Sequence, residues 1–425
     1  GLSMVEMKSG YKMTEVGVIP EDWEVCELRN HLVLLTDYDA NGSFADMASN
    51  VVTTTGNGYA WYVRATDLEQ QSSLSEVKYV DEKSYRFLRK STLYGGEVLL
   101  AKRGEIGKVY YFQMKTKRAT LAPNLYLLKL KDTINSYFLF SLFKSTFGQN
   151  LLKSINASTS LGAIYKDDVK GLNILIPPFE EQASIATALS DVDSLISALT
   201  KKIEKKKAIK QGLMQQLLTG KKRLPGFCGD WIKKNVSSVS DIFRGGSPRP
   251  IENYIVKSGG VNWIKIGDVD SSAKYIFRTN EQIIESGIQY SRFVHSGDLL
   301  LSNSMSFGRP YILKTEGCIH DGWLVIQNYD KYFDKEFLYY LLGSDEVLKQ
   351  YKSLAAGSSV LNLNKDIVGK VVLYFPPSIS EQTAIANILS DCDSEIVALE
   401  EKRDKYKEIK QGMMQQLLTG KIRLI

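Results

Sequence analysis

A chain of 425 residues has room for two or three domains, each able to bury its own core. With 44% hydrophobic and 24% charged residues, and no apolar run near 18 residues, it reads as globular, without a transmembrane helix or signal peptide. A net charge of +6 fits a polyanionic partner but argues for one only weakly. The scattered cysteines, Cys26, Cys228, Cys318 and Cys392, exclude a disulfide framework or zinc ribbon and suit a reduced, cytoplasmic setting.

In chain order, residues 1–12 read as a tail, in which Gly1, Leu2 and Ser3 ahead of Met4 look like a cloning remnant. Residues 13–175 open with TEVGVIPEDWEV and carry short β-rich runs (VLLAKRG, NLYLLKL, LNILIPP) and one helical stretch near Phe138 to Ile155. Residues 176–224 then predict a long helix. Pro177-Pro178 and the acidic residues after them suit its start, and Gly220 suits its end. Ile185, Leu189, Val192, Ile196, Leu199 and Ile203 alternate spacings of four and three, which makes an apolar seam. About 38 residues at ~1.5 Å each give a rod of roughly 57 Å. Residues 225–374 repeat the mixed pattern after GFCGDW, with a helical stretch near Phe337 to Ser353. Residues 375–425 repeat the helix, with Ile385, Leu389, Cys392, Ile396 and Leu399 on its seam.

The second half copies the first. Glu181-Gln182 aligns with Glu381-Gln382, and a 200-residue offset holds through KQGLMQQLLTGK (Lys210 to Lys221) and KQGMMQQLLTGK (Lys410 to Lys421). Roughly two-thirds of these helical positions are identical. A fainter match pairs YVRATDL (Tyr62 to Leu68) with WIKIGDV (Trp263 to Val269). GGEVLLAKRGEIGKVY likewise pairs with SGDLLLSNSMSFGRPY, at an offset of 201 residues. The chain therefore reads as two α+β (α/β-like) domains, each followed by a helix. An apolar stripe must be buried against something, and the obvious partner is the twin helix in an antiparallel coiled coil.

These features, two variable domains each closed by Pro-Pro, Glu-Gln and the KQG-QQLLTGK helix, resemble the specificity subunit of a type I restriction-modification system. The resemblance covers the chain from about residue 11. It implies that each variable domain is a target recognition domain reading one half of a bipartite, asymmetric double-stranded DNA site. It further implies that the helices set the half-site spacing and dock two methyltransferase subunits, with restriction subunits joining that core. No catalytic residue or cofactor is expected on this chain, because the methyl donor S-adenosylmethionine belongs to the methyltransferases. The physics is compatible: antiparallel twins are related by a pseudo-twofold axis, which inverts the attached domains as the two DNA strands are inverted. Readers on one DNA face should sit ~34–36 Å apart, within reach of such a rod.

Base reading needs groove-directed donors and acceptors, with Arg and Lys favoured for guanine and Asn or Gln for adenine. In the first domain Lys102, Arg103 and Lys108 flank a Gly-containing turn after an apolar strand, and Tyr62 and Arg64 sit on the matching strand. In the second, the equivalent turn offers Asn303, Ser304 and Arg309, joined by Lys265 and by Arg244, Ser247 and Arg249. Each could instead be a solvated surface group. The run Lys201, Lys202, Lys205, Lys206, Lys207 and Lys210 reads as the wet side of the coiled coil rather than a phosphate track, since Glu400, Glu401, Asp404 and Glu408 dilute it in the second copy. Gly212 and Gly412 each cost a helix ~1 kcal/mol relative to alanine; close approach of another backbone, the twin helix or a methyltransferase helix, would explain them, and relaxed tolerance in both copies is the alternative. Ile176-Pro177-Pro178-Phe179 mimics the polar-Pro-Pro-aromatic loop of adenine methyltransferases. Isoleucine there, and Phe375 in the second copy, lack the acceptor that chemistry needs. No glycine-rich cofactor loop, P-loop or metal-ligand cluster is visible. A divergent methyltransferase and a DNA-free scaffold are the competing readings.

Overall fold

The computed structural model describes residues 9–156, 162–270, 272–303, 307–356 and 362–425. The two long helices span Phe179–Leu217 and Ile379–Leu417. Compact units do not follow the sequence segments: one is Gly1–Leu199 with Lys402–Ile425, the other Thr200–Glu401. The division falls inside both helices because Leu417 and Leu418 join the core of the first unit, whereas Leu217 and Leu218 join that of the second.

In the first unit an antiparallel sheet runs in the order Val109–Tyr111, Val98–Ala101, Leu125–Leu130, Leu32–Asp37. Successive strand residues face opposite sides, and the sequence uses both. Val98, Leu100, Tyr126 and Leu128 enter a core with Ile185, Leu189, Leu417 and Leu418 of the long helices. Leu99, Leu125 and Leu127 pack instead against Trp61, Val63 and Phe112. That second core lies beneath a sheet ordered Thr53–Thr55, Lys78–Val80, Ala60–Val63, Ala119–Leu121, Thr92–Leu93, in which only the Ala60–Val63 and Ala119–Leu121 pair is parallel.

The second unit repeats this plan. Its first sheet runs Asp241–Arg244, Trp323–Gln327, Leu299–Ser302, Pro310–Leu313, Tyr275–Ile276, and its second again holds one parallel pair, Val261–Ile264 with Gly317–Ile319. Leu299, Leu301, Leu324 and Ile326 meet Ile385 and Leu389, while Leu300, Trp323 and Val325 face the other way. The architecture is a tandem repeat of mixed sheet-and-helix domains. Each predicted helical stretch is in fact two helices, Ser136–Lys144 with Thr146–Ser154 and Lys335–Leu342 with Asp345–Ala355. Ser145 and Ser344 break them, each hydroxyl capping the helix that follows by accepting from Gly148 or Val347.

The Glu-Gln motif has a structural explanation. Gln182 accepts from the amide of Asn135 at the start of Ser136–Lys144 and donates to the carbonyls of Pro177 and Thr133. Gln382 does the same with Asp334, Pro376 and Tyr332. Glu181, 1% exposed, accepts from both Nε and Nη2 along one edge of the Arg423 guanidinium, and Glu381, also 1% exposed, accepts in the same way from Arg223. These locks, with Lys410 to Asp193 in the first unit and Lys210 to Asp393 in the second, make the two helix segments of each unit antiparallel. Asp193 and Asp393 also accept from Tyr137 and Tyr340, whose hydroxyls are pushed far up by burial and by the carboxylate.

Candidate nucleic-acid interface

In the first unit, strand Val98–Ala101 leads into a turn held open by Gly104 and Gly107, at φ +92° and +94°, a region where a side chain would be strained. The Gly104 amide donates to Gly162 O at 2.9 Å and that of Lys102 to Asn124 O at 2.9 Å, anchoring the turn on both sides. Of the five candidates here, Arg103 alone is exposed with no side-chain hydrogen bond or ion pair among the described residues. The Lys102 ammonium lies 2.9 Å from Asp37 and 2.8 Å from Asp39, and Lys166 takes the other oxygen of Asp37 at 2.9 Å. Burial would push the Asp37 carboxyl up, but hydrogen bonds from the two lysines outweigh it and hold it below 3.8. Burial would likewise lower Lys102, and Asp39 and Asp37 together raise it above 10.5. Lys108 pairs with Glu69 and Glu105, Arg64 with Asp67, and Tyr62 is buried against Tyr38.

In the second unit the candidates converge on a residue the sequence did not single out, Asp321. Gly245 and Gly246 allow the segment after strand Asp241–Arg244 to lie directly on the backbone of residues 319–323: a Cβ on Gly245 would sit 2.1 Å from His320 O. That brings the Ser247 hydroxyl to 2.9 Å from the Asp321 carboxylate, beside His320 at 2.9 Å and Arg249 at 3.5 Å. The Asp321 carbonyl accepts from Arg244 Nε at 3.2 Å and Asn303 Nδ2 at 2.9 Å. Burial works against the charge, yet the Ser247 hydroxyl, His320, Arg249 and Arg244 keep the Asp321 carboxyl below its ordinary range. Ser247, Arg249, Trp263, Lys265, Glu281 and His320 line the adjoining concavity, where Lys265 pairs with Glu281 at 2.6 Å. Arg309 stands apart, over the Tyr311 ring at 5.7 Å. Ser304 lies outside the described residues.

The two clusters occupy comparable places in the repeated frame but are built from different groups: the edge strand ends in Asp37 in the first and in Arg244 in the second, and the central strand is followed by Lys102 in the first and by Asn303 in the second.

On the helices, Ile185, Leu189, Leu199, Ile203, Ile385, Leu389 and Ile396 are buried, with Val192, Ile196 and Leu399 half-buried. Several lysines expected on the wet side are paired: Lys206 with Glu395, Lys207 with Glu400 and Lys210 with Asp393. The twin helix does not explain the mid-helix glycines, because a Cβ on Gly212 or Gly412 would meet nothing within 4 Å. A different pattern does include them. Lys202, Lys205, Ile209, Gly212 and Gln216 follow spacings of three and four along one unburied face, and the second copy keeps all five as Lys402, Lys405, Ile409, Gly412 and Gln416. Ile209 and Ile409 are 44% and 41% exposed there. The stripe beside it has changed, from Lys201, Glu204 and Ala208 to Glu401, Asp404 and Glu408. Comparing the copies face by face, rather than as one string, is the sequence signal that would have found this surface.

The model of the type I restriction modification DNA specificity domain matches the chain twice, over residues 20–211 and 229–411. The chain belongs to that family. Its role there is DNA recognition within restriction-modification rather than catalysis. Among its relatives, a protein named as the MjaX type I restriction enzyme specificity subunit of Methanocaldococcus jannaschii is 28% identical, covering 98% of this chain and 97% of that one. The MjaVIII specificity subunit of the same organism is 25% identical over 96% and 94% of the two chains. A type I restriction-modification S subunit from M. genitalium, solved by crystallography, shares the fold with a TM-score of 0.60 at 13% identity, covering 93% of this chain and 96% of that one. Among the described residues no helix is long and apolar enough to cross a membrane, and no three His, Cys, Asp or Glu side chains gather as metal ligands would.

Proposed function

We propose that the chain gives a cytoplasmic type I restriction-modification complex its target sequence, the first unit reading one half of a bipartite, asymmetric DNA site and the second reading the other. The long helices set the distance between half-sites and dock two methyltransferase subunits, which carry S-adenosylmethionine and in turn bring in restriction subunits. The observation that carries this reading is the contrast inside the repeat. One frame is kept twice, while equivalent strand ends carry different groups, Asp37 and Lys102 in one unit and Arg244 and Asn303 in the other, as two readers of different base sequences require. The exposed helix face that is identical in both copies supports one kind of partner bound twice.

The test is reconstitution with labelled S-adenosylmethionine and unmethylated DNA. Label should transfer to defined sites only when this chain and its methyltransferase are both present. Transfer by this chain alone, or by the methyltransferase at the same sites without it, would contradict the proposal.

A further inference from the structure

Among the polar groups of the second unit, Arg249 is the one whose placement most resembles a reading head. Its side chain is 80% exposed, and among the described residues its one ionic contact is to Asp321 at 3.5 Å. Five donors in a planar fork cannot all be used by that contact. The other groups around Asp321 are bonded to its backbone or its carboxylate. Asn303 is 3% exposed and gives its amide to the Asp321 carbonyl, Arg244 gives its Nε to the same oxygen, and Ser247 gives its hydroxyl to the carboxylate. Their effect is to fix the turn that carries Asp321, and so to fix where the carboxylate meets Arg249. Lys265, the other cation of this concavity, is neutralised by Glu281.

From this arrangement we infer that Arg249 reads a guanine in the half-site of the second unit and that Asp321 is the positioning residue that orients its guanidinium. The inference rests on the DNA-reading function proposed above. A guanidinium tethered through Nη2 to a carboxylate keeps its other donors free, and two of them can match O6 and N7 of guanine in the major groove. A phosphate contact would need the charge but not the paired donors. Asn303 acts from within, as a support for the turn, and reads no base itself.

The experiment selects sites from a library of random DNA duplexes with the full chain assembled with its methyltransferase subunits. It compares wild type with Arg249→Lys and Asp321→Asn, and melting curves confirm that both variants are folded. Lysine keeps the charge but not the fork, and position 249 is exposed, so folding is not at risk there. The wild type should demand guanine at one position of the second half-site. Arg249→Lys should cut that preference by about 5- to 150-fold. Asp321→Asn should relax the same position, and both should leave the first half-site unchanged. A selective wild type with variants that keep its preference at every position would overturn the assignment alone. So would variants that weaken all sequences equally with a shallower salt dependence, the mark of a phosphate contact. A wild-type complex that selects no sequence would overturn it together with the function on which it rests.

Discussion

Asp37 and Gln182 each hold together segments that are far apart in the chain. Asp37, 4% exposed, stays ionised between Lys102 and Lys166. Its folded pKa lies below 3.8, so the stability it contributes is present above that pH and lost as pH falls through the lowered value. Asp37→Asn should therefore cost about 1.5–3 kcal/mol at neutral pH, the worth of hydrogen bonds to a charged group. The gap from wild type should close as unfolding is followed below pH 3.8, and a gap independent of pH would show that the charge is immaterial. Gln182 tests a different physics, since it is 1% exposed and uncharged. Gln182→Leu leaves the Asn135 amide without its acceptor, which costs about 1–3 kcal/mol. Denaturant midpoints should fall accordingly, and an unchanged midpoint would mean that another group takes over. Neither role was legible beforehand. Lys102 looked like a free cation in the sequence because its partner lies 65 residues away. Asp321 escaped notice because its turn falls outside the segments in which the two copies align.

The helices were the most legible elements. The seam spacing, the Pro-Pro start and the glycine end placed them almost as they stand, since a 3.6-residue period over nearly 40 positions leaves little freedom. The short strands were legible as apolar runs, but not their order, which depends on pairings between distant segments. What the helix pattern did not show was the use of the outer face. If the stripe kept in both copies docks methyltransferase, the double variant Ile209→Glu with Ile409→Glu should fold and melt as wild type does, both side chains being over 40% exposed. It should fail to co-elute with the methyltransferase on size exclusion. Burying a lone carboxylate costs several kcal/mol, so even one substitution should reduce the stoichiometry from two to one. Normal assembly of the double variant would remove this face from the docking surface.

At the scale of the molecule, the repeat is completed by exchange. The first unit takes residues 402–425, the end of the second helix with the segment after it, and residues 202–225 are their near-copy, including Arg223 in the place of Arg423. A fragment of residues 1–224 thus contains everything one unit needs, provided a second fragment supplies the exchanged segment as a C2 partner. The most direct test of the account is to map methylated bases by sequencing, on DNA modified by methyltransferase with the full chain or with this fragment. The account predicts an asymmetric bipartite site for the full chain, and for the fragment an inverted repeat of the half read by the first unit. The same asymmetric site from both, or methylation without sequence preference from the full chain, would contradict it.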